Sequence, residues 1–142
     1  MLREADAGRD AEAIAAIYNY YIRETTITFE DEPVSAEEMR GRILAYTAEG
    51  YPWLVAEEAG RIVGYAYAHR YRERAAYRHT CEVTVYCDPG RTGRGYGPRL
   101  MERLLDSLRQ LDHCYTAVAL IAGGNQRSVE LFRRLGFEAG ER

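Results

Sequence analysis

Apolar residues recur at helical spacing in some stretches of the chain, and alternate or cluster as in strands in others. The first helical stretch begins near Asp10. Its apolar face comprises Ile14, Ile17, Tyr18, Tyr21 and Ile22. Ser35 followed by Glu38 forms a capping box that starts a second helix. The residues of that helix that we expect to point inward are Met39, Ile43 and Leu44.

The remaining pattern predicts strands separated by turns, and two further helices. Strands are predicted at residues 2–5, 53–57, 62–71, 80–87 and 116–121, with a hairpin turn from Glu58 to Arg61. Pro98 suits the first position of a third helix, where its missing N–H needs no partner. The buried stripe of that helix is Leu100, Met101, Leu104, Leu105 and Leu108. The last helix spans residues 126–135 and ends at Gly136.

Antiparallel strands followed by a β-α-β-α tail predict an α+β (mixed α/β) fold, a sandwich around a mixed sheet. The chain has 142 residues and one composition throughout, so we expect a single domain over residues 1–142.

Composition and charge exclude several classes of protein. The chain is 46% hydrophobic and 29% charged, with a net charge of −3, which argues against a disordered tail and against a nucleic-acid partner. No apolar run approaches the ~20 residues of a membrane helix, and the N-terminus lacks the apolar stretch of a signal peptide. Cys81, Cys87 and Cys114 do not have metal-ligand spacing. We therefore expect reduced thiols, no metal and no membrane contact, in a cytoplasmic protein.

A glycine-rich segment, Thr92-Gly93-Arg94-Gly95-Tyr96-Gly97, connects the fourth strand to the third helix. Glycines let the backbone turn sharply and bring successive N–H groups close to a ligand. Those groups and the helix dipole favour an anion such as a phosphate. A plain tight turn is the other interpretation. The context fits neither a Rossmann fingerprint nor a Walker A loop.

Several separated motifs resemble the GNAT N-acetyltransferase superfamily. They are Val83-Thr84-Val85, Gly95-Tyr96-Gly97-Pro98-Arg99-Leu100, Asn125-Gln126-Arg127-Ser128 and Leu135-Gly136-Phe137. Within it, the segments at residues 17–22, 28–29, 51–57, 74–82 and 85–86 are similar to the phosphinothricin acetyltransferase family. The resemblance covers residues 2–137.

The resemblance implies a GNAT-like fold with helices on both faces of a twisted sheet. The sheet is splayed between the strand of Val83–Val85 and the strand at residues 116–121, and acetyl-CoA lies in that cleft. Its pantetheine arm pairs with the backbone of Val83 and Val85, like an added strand. Asn125 and Ser128 line the far side. The implied pyrophosphate site is formed by the N–H groups of Thr92, Gly93, Arg94, Gly95, Tyr96 and Gly97.

The implied reaction is direct attack of a primary amine on the thioester, which needs a base because an ammonium cannot attack. Glu82 matches the carboxylate of the family motif, either as the base, directly or through water, or as an electrostatic anchor for the amine. Side chains alternate along a strand, so Glu82, Thr84 and Tyr86 share one face. An ordinary strand carboxylate paired with Arg74 or Arg78 is the alternative. The implied oxyanion donor is a backbone N–H between Val83 and Val85.

Substrate-side residues are also implied by the resemblance. Arg74 is the choice for clamping an acceptor carboxylate, since a guanidinium binds a carboxylate through two hydrogen bonds. Arg72 is a second choice, and surface charge is the alternative. Tyr77 either bonds the acceptor or packs, and Thr80 either orients Glu82 or is structural.

The chain departs from the family pattern at three places. Thr92 stands where the superfamily has Gln or Arg. Phe132 stands where many members have a tyrosine acid or a histidine, which leaves the acid unassigned. His69, His79 and His113 match no motif position and are expected to be surface or strand residues. The chain ends at Arg142, and we expect the last strands of the family to be missing.

The sequence therefore predicts an acetyl-CoA-dependent N-acetyltransferase for a small amino-acid-like acceptor of the phosphinothricin, methionine sulfoximine or methionine sulfone type. The resemblance also implies a homodimer. Three alternatives stay open: another amine such as an aminoglycoside, polyamine or protein N-terminus; a silent acyl-CoA-binding domain; and, least favoured, an arginine-rich nucleic-acid binder.

Overall fold

The computed structural model describes residues 1–25, 30–71, 80–91, 94–111, 116–119 and 126–138. The strands are β1 (Leu2–Glu4), β2 (Trp53–Glu58), β3 (Arg61–Arg70), β4 (Thr80–Cys87) and β5 (Thr116–Val118). The helices are α1 (Ala7–Glu24), α2 (Ala36–Ala48), α3 (Tyr96–Arg109) and α4 (Gln126–Arg134). A short 3₁₀ turn, Pro89–Arg91, follows β4.

The predicted order of helices and strands is confirmed, with corrections at three positions. Pro98 is the third helical residue of α3, since Gly95 is the N-cap, but it still lies among the first four residues, whose N–H groups have no helical partner. Leu44, expected to point inward, is 49% exposed. The fifth strand ends at Val118 rather than at residue 121.

The five strands of the described residues form one mixed sheet in the order β1-β2-β3-β4-β5. Pairs β1–β2, β2–β3 and β3–β4 are antiparallel. β5 runs parallel to β4. The α+β prediction is therefore confirmed, and the sheet is not closed into a barrel.

Each face of the sheet carries its own hydrophobic core, because strand side chains alternate between the two faces. On one face Trp53, Val55 and Tyr65 pack against α1 and α2. On the other face Ala66 and Val83 belong to a core that includes the buried stripe of α3 and Phe132 of α4. Helices therefore cover both faces, as predicted.

An ion cluster fixes the N-terminal strand to α1 and β2. Asp10 is 2% exposed. It accepts hydrogen bonds from Arg3 Nη1 at 2.8 Å and Nη2 at 3.0 Å, and from the N–H of Asp6 at 2.7 Å. Arg3 also donates to Glu57 at 2.8 Å. Burial by itself raises the pKa of Asp10, but the bonds from Arg3 and Asp6 outweigh it and hold the pKa below its usual value.

Three of the other expectations concern membrane-spanning helices, metal ligands and cysteines, and each can be compared with the part of the chain that the structure describes. None of its helices has the length and apolarity needed to cross a membrane. It contains no group of three metal-ligating side chains. Cys81 is disulfide-bonded, so the expectation of reduced thiols is wrong for Cys81, whereas Cys87 forms no disulfide.

Candidate active site

Two hydrogen bonds determine which way the backbone of β4 faces. The N–H of Tyr71 donates to the carbonyl of Thr80 at 3.1 Å, and the N–H of Asp88 donates to the carbonyl of Val63 at 2.8 Å. Residues of an antiparallel strand alternate between bonding to the partner strand and pointing away from it. The register between these bonds has no shift, so the even-numbered residues of β4 bond to β3. The N–H and C=O groups of Val83 and Val85 therefore point to the outer edge.

The described parallel ladder between β4 and β5 extends only as far as Glu82, so it covers only the first part of the outer edge of β4. Its pairs are Thr80–Thr116, Cys81–Ala117 and Glu82–Val118. No described residue of β5 pairs with Val83 or with any later residue of β4. The Glu82–Val118 pair of this parallel ladder uses the outward N–H of Val83, which faces the carbonyl of Val118. The outward C=O of Val83 and the outward N–H and C=O of Val85 therefore lie beyond the last described pair, where the resemblance places the cleft.

Glu82 lies at the start of this opening, on the sheet face covered by α1 and α2. Its partner across the antiparallel ladder is His69 of β3. His69 Nε2 is 3.5 Å from Glu82 Oε2, and each side chain is 22% exposed. The carboxylate therefore has access to solvent and the imidazole of His69 as a polar neighbour. Arg74 and Arg78, the alternative partners, lie outside the described residues.

Stacked aromatic rings surround this pair. Tyr46 of α2 lies 4.8 Å from the ring of His69 at an interplanar angle of 15°. Tyr67 stacks on Trp53 with centroids 4.0 Å apart. Tyr86 lies against Tyr65 at 5.8 Å. Rings at these distances pack favourably and leave little freedom to reorient.

The tyrosines of this face are poor proton acceptors. Burial raises the pKa of Tyr86 to about 12, and the charges of Glu30 and Glu82 add to that effect. Burial likewise raises the pKa values of Tyr46 and Tyr67. These phenols are therefore neutral near pH 7, and a base on this face must come from another side chain.

Glu30, the second carboxylate near this face, is already bound. Arg42 donates to it with Nη1 at 2.8 Å and Nη2 at 3.2 Å, and the hydroxyl of Tyr18 donates at 2.7 Å. The bonds from Arg42 hold the pKa of Glu30 below its usual value despite burial. Glu30 is thus a weaker base than a free carboxylate, which favours Glu82 for that role.

The start of α3 has the geometry that the glycine-rich segment predicts. Gly95 is the N-cap with φ 82°, a left-handed conformation that glycine adopts without steric cost. Tyr96 is 8% exposed, and its hydroxyl donates to Glu58. Arg94 Nη1 lies 3.3 Å from the other oxygen of Glu58. Arg94 is therefore paired with a carboxylate of the β2–β3 hairpin rather than left free for a phosphate.

The other predicted site residues are distributed as follows. Thr80 is the half-buried first residue of β4, and Ser128 is half-buried on α4. Phe132 is 6% exposed and packs on Phe137 with centroids 5.1 Å apart. The predicted residues outside the described part of the chain are Arg74, Tyr77, Thr92, Gly93 and Asn125.

Two residues at the site were not predicted from the sequence. His69 matches no motif, and Glu58 stands in the predicted hairpin turn, so neither is marked as a site residue by the sequence. The register of β3 on β4 brings His69 to Glu82, and the hairpin brings Glu58 to Arg94. Alternation in β3 would have placed His69 on the face of Glu82, but the pairing register was unknown.

Comparison with known proteins identifies the class of molecule. The described sheet is mixed and not closed, and α3 begins at a glycine N-cap. Residues 14–137 match the acetyltransferase (GNAT) family. The chain belongs to this family and is an N-acetyltransferase.

Named relatives agree with this assignment. The chain is 41% identical over 131 residues to the phosphinothricin N-acetyltransferase of Streptomyces coelicolor, covering 90% of this chain and 76% of that protein. It is 37% identical over 135 residues to the L-methionine sulfoximine/L-methionine sulfone acetyltransferase of Pseudomonas paraeruginosa, covering 94% of this chain and 78% of that protein. The structure of a phosphinothricin acetyltransferase from Sinorhizobium meliloti in complex with acetyl-CoA matches with a TM-score of 0.93 and 37% identity, over 99% of this chain and 76% of that one.

Proposed function

We propose that the chain transfers the acetyl group of acetyl-CoA to the primary amine of a small amino-acid-like acceptor. The acceptor class is that of phosphinothricin, methionine sulfoximine and methionine sulfone. The names of the relatives support this class. The observation that carries the proposal is the position of Glu82 in the last described pair of the β4–β5 ladder, just before the residues of β4 that have no described partner in β5.

The residues of the cleft fit acetyl-CoA. The outward C=O of Val83 and the outward N–H and C=O of Val85 can pair with the amides of a pantetheine arm, as with an added strand. The first N–H groups of α3, after Gly95, can receive a pyrophosphate. When bound, acetyl-CoA supplies the acetyl group as an activated thioester.

Glu82 acts as the general base in this proposal. The acceptor arrives as an ammonium, and Glu82 takes one of its protons. The N–H bond breaks, an O–H bond forms on the carboxylate, and the electron pair stays on the nitrogen for attack. Glu82 suits this task because the nearby phenols have raised pKa values and Glu30 is held by Arg42.

The backbone of β4 supplies the second group that the reaction needs, which is a hydrogen-bond donor for the oxyanion. An outward backbone N–H of β4 near Val85 donates to the acetyl carbonyl oxygen as negative charge develops there. A fixed donor of this kind typically contributes about 10²- to 10³-fold to turnover. Phe132 cannot donate a proton, so the thiol leaves without help from that side chain.

The test is a CoA-release assay on the purified chain with phosphinothricin, methionine sulfoximine, methionine sulfone and an aminoglycoside. We expect turnover on the three amino-acid analogues. Glu82→Gln should lower kcat by about 10²- to 10⁴-fold and leave acetyl-CoA affinity unchanged. Glu12→Gln, an exposed position of α1, is the matched control.

Each contrary outcome has its own meaning. Turnover only on the aminoglycoside would overturn the acceptor class. Wild-type turnover in Glu82→Gln would overturn the base. Binding of acetyl-CoA without turnover on any amine would leave a silent acyl-CoA-binding domain as the function.

A further inference from the structure

We propose that His69 is a positioning residue that holds the Glu82 carboxylate in the orientation needed to deprotonate the acceptor. This inference rests on the proposed function, since it gives Glu82 the role of base. It adds a residue that the sequence motifs do not mark, on a strand that carries none of the motif residues of the active site.

The first observation is the pairing itself. His69 and Glu82 are directly opposite each other in the β3–β4 ladder, and side chains of opposite residues on one face are close neighbours. Their polar atoms, Nε2 and Oε2, are 3.5 Å apart. Distances of this kind in an unliganded site commonly shorten once the substrate is bound. A small rotation of either side chain completes a hydrogen bond.

The second observation is that the His69 ring is itself held. The Tyr46 ring stacks on the His69 ring with centroids 4.8 Å apart, and the Tyr67 ring stacks on the His69 ring with centroids 5.9 Å apart. Tyr46 and Tyr67 also stack on each other at 5.8 Å. Trp53, 2% exposed, lies beneath both. Because the His69 ring is held in one orientation, its Nε2 can hold the facing carboxylate of Glu82 in one orientation.

The chemical argument concerns the two oxygens of the carboxylate. A general base must present one oxygen to the ammonium N–H, and misplacement by about 1 Å costs about 10²-fold in rate. His69 Nε2 faces one oxygen, Oε2, which leaves Oε1 for the acceptor. Among the residues that the structure describes, His69 is the side chain whose nitrogen approaches the Glu82 carboxylate, so it is the partner that orients it.

The test separates the nitrogen of His69 from its ring. His69→Phe keeps a ring for the Tyr46 stack and removes Nε2, whereas His69→Gln keeps a polar nitrogen and removes the ring. We expect His69→Phe to lower kcat about 10- to 100-fold, with little change in KM for acetyl-CoA or in Tm. His69→Gln should recover part of kcat. Tyr46→Phe removes a hydroxyl and keeps the ring that stacks on His69, so it is the control for packing around the His69 ring.

A double-mutant cycle decides whether His69 acts through Glu82. On the Glu82→Gln background, His69→Phe should cause no further loss of kcat. The assay uses the acceptor with the highest turnover in the panel above. Multiplicative losses, or wild-type kcat in His69→Phe while Glu82→Gln is impaired, would overturn the inference and leave the proposed function standing. Full activity in Glu82→Gln, or no turnover on any acceptor, would overturn the proposed function and the inference with it.

Discussion

Glu82 of β4 pairs with Val118 of β5 in the last rung of the described parallel ladder. The carboxylate of Glu82 lies on the face of α1 and α2, and the main chain of the next residue points to the open edge. Two approaches therefore meet at residues 82 and 83. A ligand along the edge reaches the outward C=O of Val83, and a ligand on the aromatic face reaches Glu82. This arrangement suits a reaction in which donor and acceptor enter separately.

The orientation of the β4 backbone predicts an unequal effect of proline at two neighbouring positions. Val85→Pro removes an N–H that points to the open edge, whereas Thr84→Pro removes one that bonds to β3. We expect Val85→Pro to remain folded, because proline is tolerated where the strand N–H has no ladder partner. It should weaken acetyl-CoA about tenfold, the value of one net hydrogen bond. Isothermal titration measures the affinity, and circular dichroism measures Tm.

The two variants control for each other. Thr84→Pro should lose more Tm than Val85→Pro, since it breaks a bond of the β3–β4 ladder. Wild-type affinity for acetyl-CoA in a folded Val85→Pro would show that the outer edge of β4 does not hold the pantetheine arm.

Much of this fold follows from local pattern. The N-cap at Ser35 is observed, with the hydroxyl accepting from Glu38 N–H at 3.0 Å, because such caps depend on neighbouring residues only. The Glu38 carboxylate, which a capping box would turn back to Ser35, accepts from Arg42 at 3.2 Å instead. The hairpin between β2 and β3 is observed with positive φ at Ala59 and Gly60. Glu82 falls on the predicted face because strand alternation is also local.

What depends on pairing between distant segments could not be predicted in the same way. His69 and Glu82 are on different strands, and a shift of one residue would turn His69 to the opposite face. The Arg94 side chain has as its partner Glu58, 36 residues earlier in the chain, and local pattern does not predict that pairing. The end of β5 at Val118 has no signal in the sequence, because apolar residues continue beyond that point.

Glu58 places a negative charge at the start of α3, where a pyrophosphate is expected to bind. We predict that Glu58→Gln binds acetyl-CoA about two- to fivefold more tightly at low salt, because Arg94 is released and a repulsive charge is removed. The gain should vanish at high salt, where exposed charges are screened. Acetyl-pantetheine, which lacks the phosphates, should bind both proteins equally. Weaker acetyl-CoA binding in Glu58→Gln would mean that Glu58 serves to order the loop.

Arg74 is the predicted clamp for the acceptor carboxylate. Arg74→Gln should raise KM for phosphinothricin about 10- to 100-fold, since a charge-assisted bidentate contact contributes roughly 1.5–3 kcal/mol. KM for acetyl-CoA should not change. Arg42→Gln is a control in another ion pair of the acceptor face, and it should leave the ratio of KM values for phosphinothricin and its decarboxylated amine unaltered. If Arg74→Gln raises KM for both acceptors equally, Arg74 does not recognise the carboxylate.

The Arg3–Asp10 pair predicts a pH-dependent part of the stability. The pKa of Asp10 in the folded chain lies below its usual value, so the pair stabilises the fold above the unfolded pKa of about 3.9 and loses that contribution as pH falls through the lower folded value. Asp10→Asn should reduce the free energy of unfolding by about 2 kcal/mol at pH 7, because Arg3 loses two charge-assisted bonds. The difference from wild type should shrink below about pH 4. Urea unfolding measures the free energy of unfolding of both proteins. The surface control is Asp106→Asn, because the Asp106 side chain is 68% exposed and pairs with Arg109. A difference that persists undiminished at pH 3 would show that the ionised carboxylate of Asp10 is not what holds β1 in place.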